Sequence, residues 1–128
     1  MPQFYEGKPD AVSTGLDAAC RSAGVWPDAV VVGHAHLYQR FVRAVEGQQI
    51  PYLTIGNGGY RIVPGQKARV DGQPNVSNNV VKNVLGFLRA KCDGQRLLFQ
   101  AIDKDGQTID QLGVDLTTKV DPEFETVV

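Results

Sequence analysis

The stretch AVVVGHAHLYQRF, residues 29–41, decides how this chain is read. It opens as an unbroken apolar run with three valines, reaches Gly33, and then places the chain's only two histidines, His34 and His36, one residue apart. A continuous β-branched run reads as a strand buried on both faces, and a glycine lets the backbone bend sharply where that strand ends. Side chains at i and i+2 of an extended segment point the same way, so the two imidazoles are expected to face a common site. In open α/β sheets, ligand sites lie outside the carboxyl ends of strands. Neutral imidazole is a frequent ligand for transition metals, but catalytic metal sites normally use three or more protein ligands. Spacing alone leaves a metal-binding pair and two ordinary surface histidines both open.

Upstream, Ser13 or Thr14 is the expected cap of a helix over 13–24, with Leu16, Ala19, Cys20 and Ala23 at helical spacing and Gly24 as its stop. Pro27 and Asp28 punctuate before the valine run. Downstream, RFVRAVEG (40–47) and IPYLTIGNGG (50–59) read as strands, the second closing on three glycines among four residues. Residues 60–83 are rich in Pro, Gly, Asn and charge without a firm period, and are expected to form a long loop. Three runs at about 84–92, 95–103 and 107–116 are joined at Asp93-Gly94 and Asp105-Gly106, a strong hairpin signal that predicts an antiparallel meander. The tail over 117–128 is expected to fray.

The whole chain of 128 residues is one domain's worth. Its 42% apolar and 21% charged content is that of a globular domain. Thirteen basic residues against fourteen acidic ones are scattered, which argues against nucleic acid or an anionic membrane as partner. No apolar stretch reaches the roughly 20 residues of a membrane span, and no export signal is visible in the amino-terminal residues MPQFYEGKPD. Cys20 and Cys92 have no metal-ligand spacing and read as small core side chains.

The segment VVVGHAHLYQR resembles the Gly-His-x-His signature of the calcineurin-like metallophosphoesterases, and Tyr38 and Arg40 resemble the Tyr-x-Arg of the purple acid phosphatase branch. PYLTIGNGG is similar to that branch's glycine-rich segment, and the likeness spans most of residues 25–116. It implies an α/β (α+β) fragment: the carboxyl-terminal part of a four-layer αββα sandwich, two mixed sheets flanked by helices, ending in an antiparallel meander. It also implies phosphate-ester hydrolysis at a centre of two transition metals (iron, zinc or manganese). His34 would ligate one metal and His36 the other, with a metal-bound hydroxide for in-line attack. Tyr38, Arg40 and Asn57 are the candidates for substrate contact. Arg40 has two roles open, one facing phosphate and one paired with a structural carboxylate, while a tight turn is the simpler role for Asn57. Members of the branch often carry aspartate at the position of Asn57, so a metal role is not assigned to it.

The family's earlier motifs, Asp-x-His, Gly-Asp-x-x-Asp, Gly-Asn-His and a further lone histidine, precede Gly-His-x-His. Here the 32 residues before Gly33 contain no histidine. The expectation is therefore the carboxyl-terminal portion of an acid-phosphatase-like phosphohydrolase, with a phosphate ester as substrate. Taken alone, the chain is expected to bind metal weakly or not at all and to be a poor catalyst. The alternative is a non-catalytic β-rich module that binds a partner. A third reading has oligomerisation supply the remaining ligands. Strands left without neighbours, at 29–33 or 50–56, are expected to promote self-association.

Overall fold

The computed structural model describes residues 11–62, 75–117 and 123–125. Among them are one helix, α1 (Ala11–Ala23), and eight strands: β1 (Val30–Val32), β2 (Tyr38–Val45), β3 (Gln48–Ile55), β4 (Val76–Lys82), β5 (Gly86–Cys92), β6 (Arg96–Asp103), β7 (Thr108–Asp115) and β8 (Glu123–Glu125). The first four form a mixed sheet in the order β1-β3-β2-β4, and the last four a sequential sheet, β5-β6-β7-β8, antiparallel throughout. The chain is thus mostly β, with a mixed and an antiparallel sheet, in keeping with an α+β class.

Helix α1 begins two residues before the expected cap. It ends as its composition predicts: Gly24 takes φ 71°, the Val25 amide donates to Cys20 O at 3.2 Å and the Gly24 amide to Arg21 O at 3.3 Å. This pair of bonds satisfies the carbonyls that a helix end leaves open. The helix docks through Asp17, whose carboxylate takes both terminal nitrogens of Arg43 on β2. Arg43 also donates to the Tyr52 hydroxyl at 3.1 Å. Beside that polar clamp Trp26 and Val30 pack on Phe41, Val45, Ile50 and Tyr52.

Strands β2 and β3 are joined by Glu46-Gly47, both at positive φ (49° and 79°), the two-residue turn whose twist matches a hairpin. Because side chains alternate, Phe41, Arg43 and Val45 face the helix while Tyr38 and Arg40 face the second sheet. There Tyr38 and Leu53 meet Phe99, Ala101, Leu112 and Val114, forming the main core.

Several expectations change. The valine run is a three-residue edge strand, parallel to β3, and Val31 is 43% exposed rather than buried on both faces. Only β3 lies beside it among the described residues, so half of its edge groups and one face lack cover. Strand β3 has neighbours on both sides, so residues 50–55 offer no edge for association. Part of the expected 60–83 loop is strand β4; Asn78 sits there at φ 54°, where the register with β2 shifts. That bulge breaks the alternation by which a strand is recognised. Residues 63–74 lie outside the described residues.

The meander follows expectation, with Gly94 and Gly106 at φ 91° and 83° in its turns. The tail adds the short strand β8 on β7 instead of only fraying, and residues 118–122 and 126–128 lie outside the described set. Of the cysteines, Cys20 is half-buried, but Cys92 is exposed on β5, which has no strand beyond it to cover that position among the described residues. Among the described residues the helix, the mixed sheet and the antiparallel sheet lie in that order. Among the described residues no helix covers the outer face of the second sheet; that face carries an Arg89–Gln100–Gln111 hydrogen-bonded row. No described helix is long and apolar enough to cross a membrane.

Candidate functional site

The mixed sheet collects its chemistry at one edge. Strands β1 and β3 are parallel, so their carboxyl ends lie side by side; β2 runs the other way, pairing Tyr38 with Ile55 and with Lys82 at the end of β4. Three connecting segments therefore share a rim: 33–37, 56–62 and 82–86.

The histidines occupy the first of these segments, and the backbone there is not extended. The Ala35 amide donates to Gly33 O at 3.2 Å and the Leu37 amide to Ala35 O at 2.8 Å, so His34 and His36 are the central residues of two successive γ-turns. His34 has φ 81°, the positive-φ form of that turn, which is rare and strained for a residue with a side chain. The i, i+2 argument for a shared direction therefore fails, because it holds only for a straight strand. His34 is exposed and His36 half-buried, and neither ring makes a hydrogen bond among the described residues. Residues held in such sparsely populated conformations cluster at functional sites, which makes His34 the candidate of this rim.

The turn is held from behind. A Cβ on Gly56 would lie 1.8 Å from Ala35 O, so only glycine lets the end of β3 press against the histidine turn. Asn57 is 3% exposed; its side-chain amide donates to Val84 O at 2.9 Å and its backbone carbonyl accepts from the Gly86 amide at 3.0 Å. It fastens the second rim segment to the third, and the positive φ of the segment falls at Gly59 and not at Asn57. Nearby, Asn83 Oδ1 is buried with no hydrogen-bond partner among the described residues.

Tyr38 and Arg40 point away from the rim. Arg40 is 2% exposed and Asp110 fully buried. The guanidinium grips that carboxylate through Nε and Nη2, both at 2.9 Å, and gives Nη1 to Asn78 O at 2.9 Å. The Tyr38 hydroxyl donates to Asp110 Oδ2 at 2.6 Å. Burial, and then the carboxylate beside it, push the Tyr38 hydroxyl well above the ordinary phenol range, so it stays a donor at any working pH. Of the two roles open to Arg40, the structure shows the carboxylate pair. The Tyr-x-Arg half of the motif thereby bolts β2 to β7.

Two rim residues have no signal in the sequence. The Tyr60 ring packs edge-on against His36, centroids 4.8 Å apart, while remaining 70% exposed. Arg61 beside it is exposed. Both lie in a segment without periodicity, so neither composition nor spacing marks them.

An implied pair of metals is tested by the donor set. The rim segments supply two imidazoles and no carboxylate, and no group of three His, Cys, Asp or Glu suited to a metal occurs among the described residues. The imidazoles fit part of a transition-metal site and leave the carboxylate ligands to other residues. No family model, curated protein or solved structure matches this chain.

Proposed function

We propose that the chain is the carboxyl-terminal portion of a dinuclear-metal phosphohydrolase of acid-phosphatase-like type. The observation that carries the reading is the strained, exposed Gly33-His34-Ala35-His36 turn at the carboxyl edge of a parallel strand pair. The resemblance of residues 30–40 to the metallophosphoesterase signature adds to it. In this reading His34 and His36 each hold a metal, and the metals, when bound, neutralise phosphoryl charge and supply the attacking nucleophile. The chain's own contribution is placement. Gly56 and Asn57 brace the turn, and the Arg40–Asp110–Tyr38 cluster keeps β2 in place behind it.

Zinc calorimetry on the purified chain tests the ligand pair. Two imidazoles are expected to hold zinc at micromolar strength or weaker, on the order of half the free energy of a four-ligand structural site. Binding should vanish in His36→Ala. Assayed with added zinc or manganese on an aryl phosphate, the chain alone should show no turnover above the metal blank. Robust turnover lost in His36→Ala would mean the chain holds a complete centre. An in-frame upstream sequence encoding Asp-x-His and Gly-Asn-His would supply the remaining ligands, and its absence would remove the parent enzyme that the reading requires.

A partner-binding module is the second reading, favoured by the exposed Val31 on edge strand β1. Light scattering separates the two: concentration-dependent association lost in Val31→Lys supports an edge interface.

A further inference from the structure

Strand β2 carries a guanidinium on each face, and the two have different surroundings. Arg40 and its carboxylate Asp110 are shut between the sheets, with side chains 2% and 0% exposed. Arg43 and its carboxylate Asp17 lie beneath helix α1 with side chains 20% and 12% exposed, so solvent reaches that pair. The hydrogen bond from Arg43 holds the Asp17 carboxyl below its ordinary pKa, which keeps the pair ionised at neutral pH.

That pair is the principal tie between α1 and the sheet. The apolar face on this side consists of Phe41, Val45, Ile50 and Tyr52, and the side chains packed on it are Trp26, Val30 and Val76. No α1 side chain belongs to either apolar cluster among the described residues, and Leu16 is half-buried outside both. A second tie, Arg21 Nε to Glu46 Oε1 at 2.8 Å, is exposed at both ends, and such pairs hold little. Helices in proteins owe most of their stability to a packed apolar face, and 13 residues are marginal without one. The helix joins the rest of the chain through Gly24 at φ 71° and the exposed Val25.

We infer that α1 is a cover that swings off the mixed sheet as a unit when the Asp17–Arg43 pair breaks, baring Phe41, Val45 and Tyr52 while both sheets stay folded. Segments with few buried apolar contacts open at lower cost than the core they rest on. The sheets do not need the helix to stay together, because Tyr38, Leu53, Phe99 and Leu112 and the Arg40–Asp110 bonds all lie on the opposite side of the mixed sheet. Arg43 keeps a partner once the helix leaves: its Nη1 donates to the Tyr52 hydroxyl at 3.1 Å, and its guanidinium lies 5.8 Å from the centre of that ring.

Cys20 reports the opening. It follows Asp17 by three positions on the same helix face and is half-buried, whereas Cys92 is exposed and would label at once. In a Cys92→Ser chain at neutral pH, alkylation of Cys20 by uncharged iodoacetamide is followed at low and at about 1 M salt, beside amide exchange of the sheets. Asp17→Asn is expected to speed alkylation about fivefold. Salt should act in the same direction, since it shortens the screening length to about 3 Å. Amides of β2, β3, β6 and β7 should keep their protection under both changes. The salt series leaves the pair unsubstituted, so it decides the matter if Asp17→Asn fails to fold. Alkylation at the rate of sheet amide exchange would mean that helix and sheets open together and would overturn the inference. Alkylation indifferent to salt or to Asp17→Asn would overturn it too, by showing that the ion pair is not what holds the cover.

Discussion

Residues 34–36 and residues 38–40 are neighbours in one short motif, yet they live under opposite physical conditions. The first pair, His34 and His36, sits on a strained turn in contact with solvent, with no hydrogen bond to either ring among the described residues. The second, Tyr38 and Arg40, is locked in the interior on a carboxylate 70 and more positions away in sequence. Between them Leu37 is completely buried and marks the crossing from rim to core. The two halves of one short motif thus face opposite surroundings, one solvent and the other a buried carboxylate. The charged member of a motif is not for that reason its ligand-facing member.

The sharpest way to break this contrast is to attack the lock. Asp110→Ala leaves Arg40 as an uncompensated buried charge, and urea unfolding should show a loss of about 3–5 kcal/mol. The paired replacement Arg40→Met with Asp110→Leu should recover most of that loss, since an apolar pair of similar volume removes the desolvation cost. A double variant as unstable as the single one would mean that the ion pair contributes more than the removal of a buried charge.

Gly56→Ala comes next. The added methyl meets Ala35 O with no room to accommodate it, so a loss of about 1–3 kcal/mol is expected. His34 and His36 resonances should shift with it, and resonances around Asp110 should not. Movement at both places would show that rim and lock are one rigid unit.

His34→Gly should act in the opposite direction. Glycine adopts φ 81° without strain, so thermal unfolding should show a gain of roughly 1 kcal/mol while zinc binding is lost. Stability gained together with binding lost is the mark of strain kept for function. A destabilised variant would mean that the imidazole contributes packing.

The smallest effect lies away from both regions. The bidentate hydrogen bond from Arg43 holds the Asp17 carboxyl below its ordinary pKa, against the opposing effect of burial. The folded value is lower than the unfolded one, so the stabilisation is complete above about pH 4–5 and is lost as pH falls through the folded value. Unfolding at pH 6 and pH 3 should differ less in Asp17→Asn than in the parent chain, by on the order of 1 kcal/mol. An unchanged difference would assign the acid sensitivity elsewhere.

Much of the fold is legible in the residues themselves, for local reasons. Asp93-Gly94 and Asp105-Gly106 announce turns because each glycine takes a positive φ and each loop offers an aspartate for neighbouring amides, Asp93 to those of Gln95 and Arg96, Asp103 to those of Asp105 and Gln107. The same bonds hold the exposed Asp93 carboxyl below its ordinary pKa. Strand β4 is hidden because the Asn78 bulge interrupts its alternation. Tyr60 and Arg61 are hidden because an exposed side chain in an aperiodic segment obeys no pattern.

The helix stop at Gly24, the hairpin turns, the strands on either side of Glu46-Gly47 and the location of both histidines at the end of a strand are all written in the amino-acid sequence. Each depends on backbone preferences or periodicities that extend over only a few residues. Tertiary packing alone turns Arg40 inward to Asp110, makes the valine run an exposed edge, and lays Tyr60 on His36. Those outcomes depend on which distant segment arrives alongside. A buried guanidinium is tolerable only where a carboxylate meets it, and no local pattern around Arg40 states that Asp110 will.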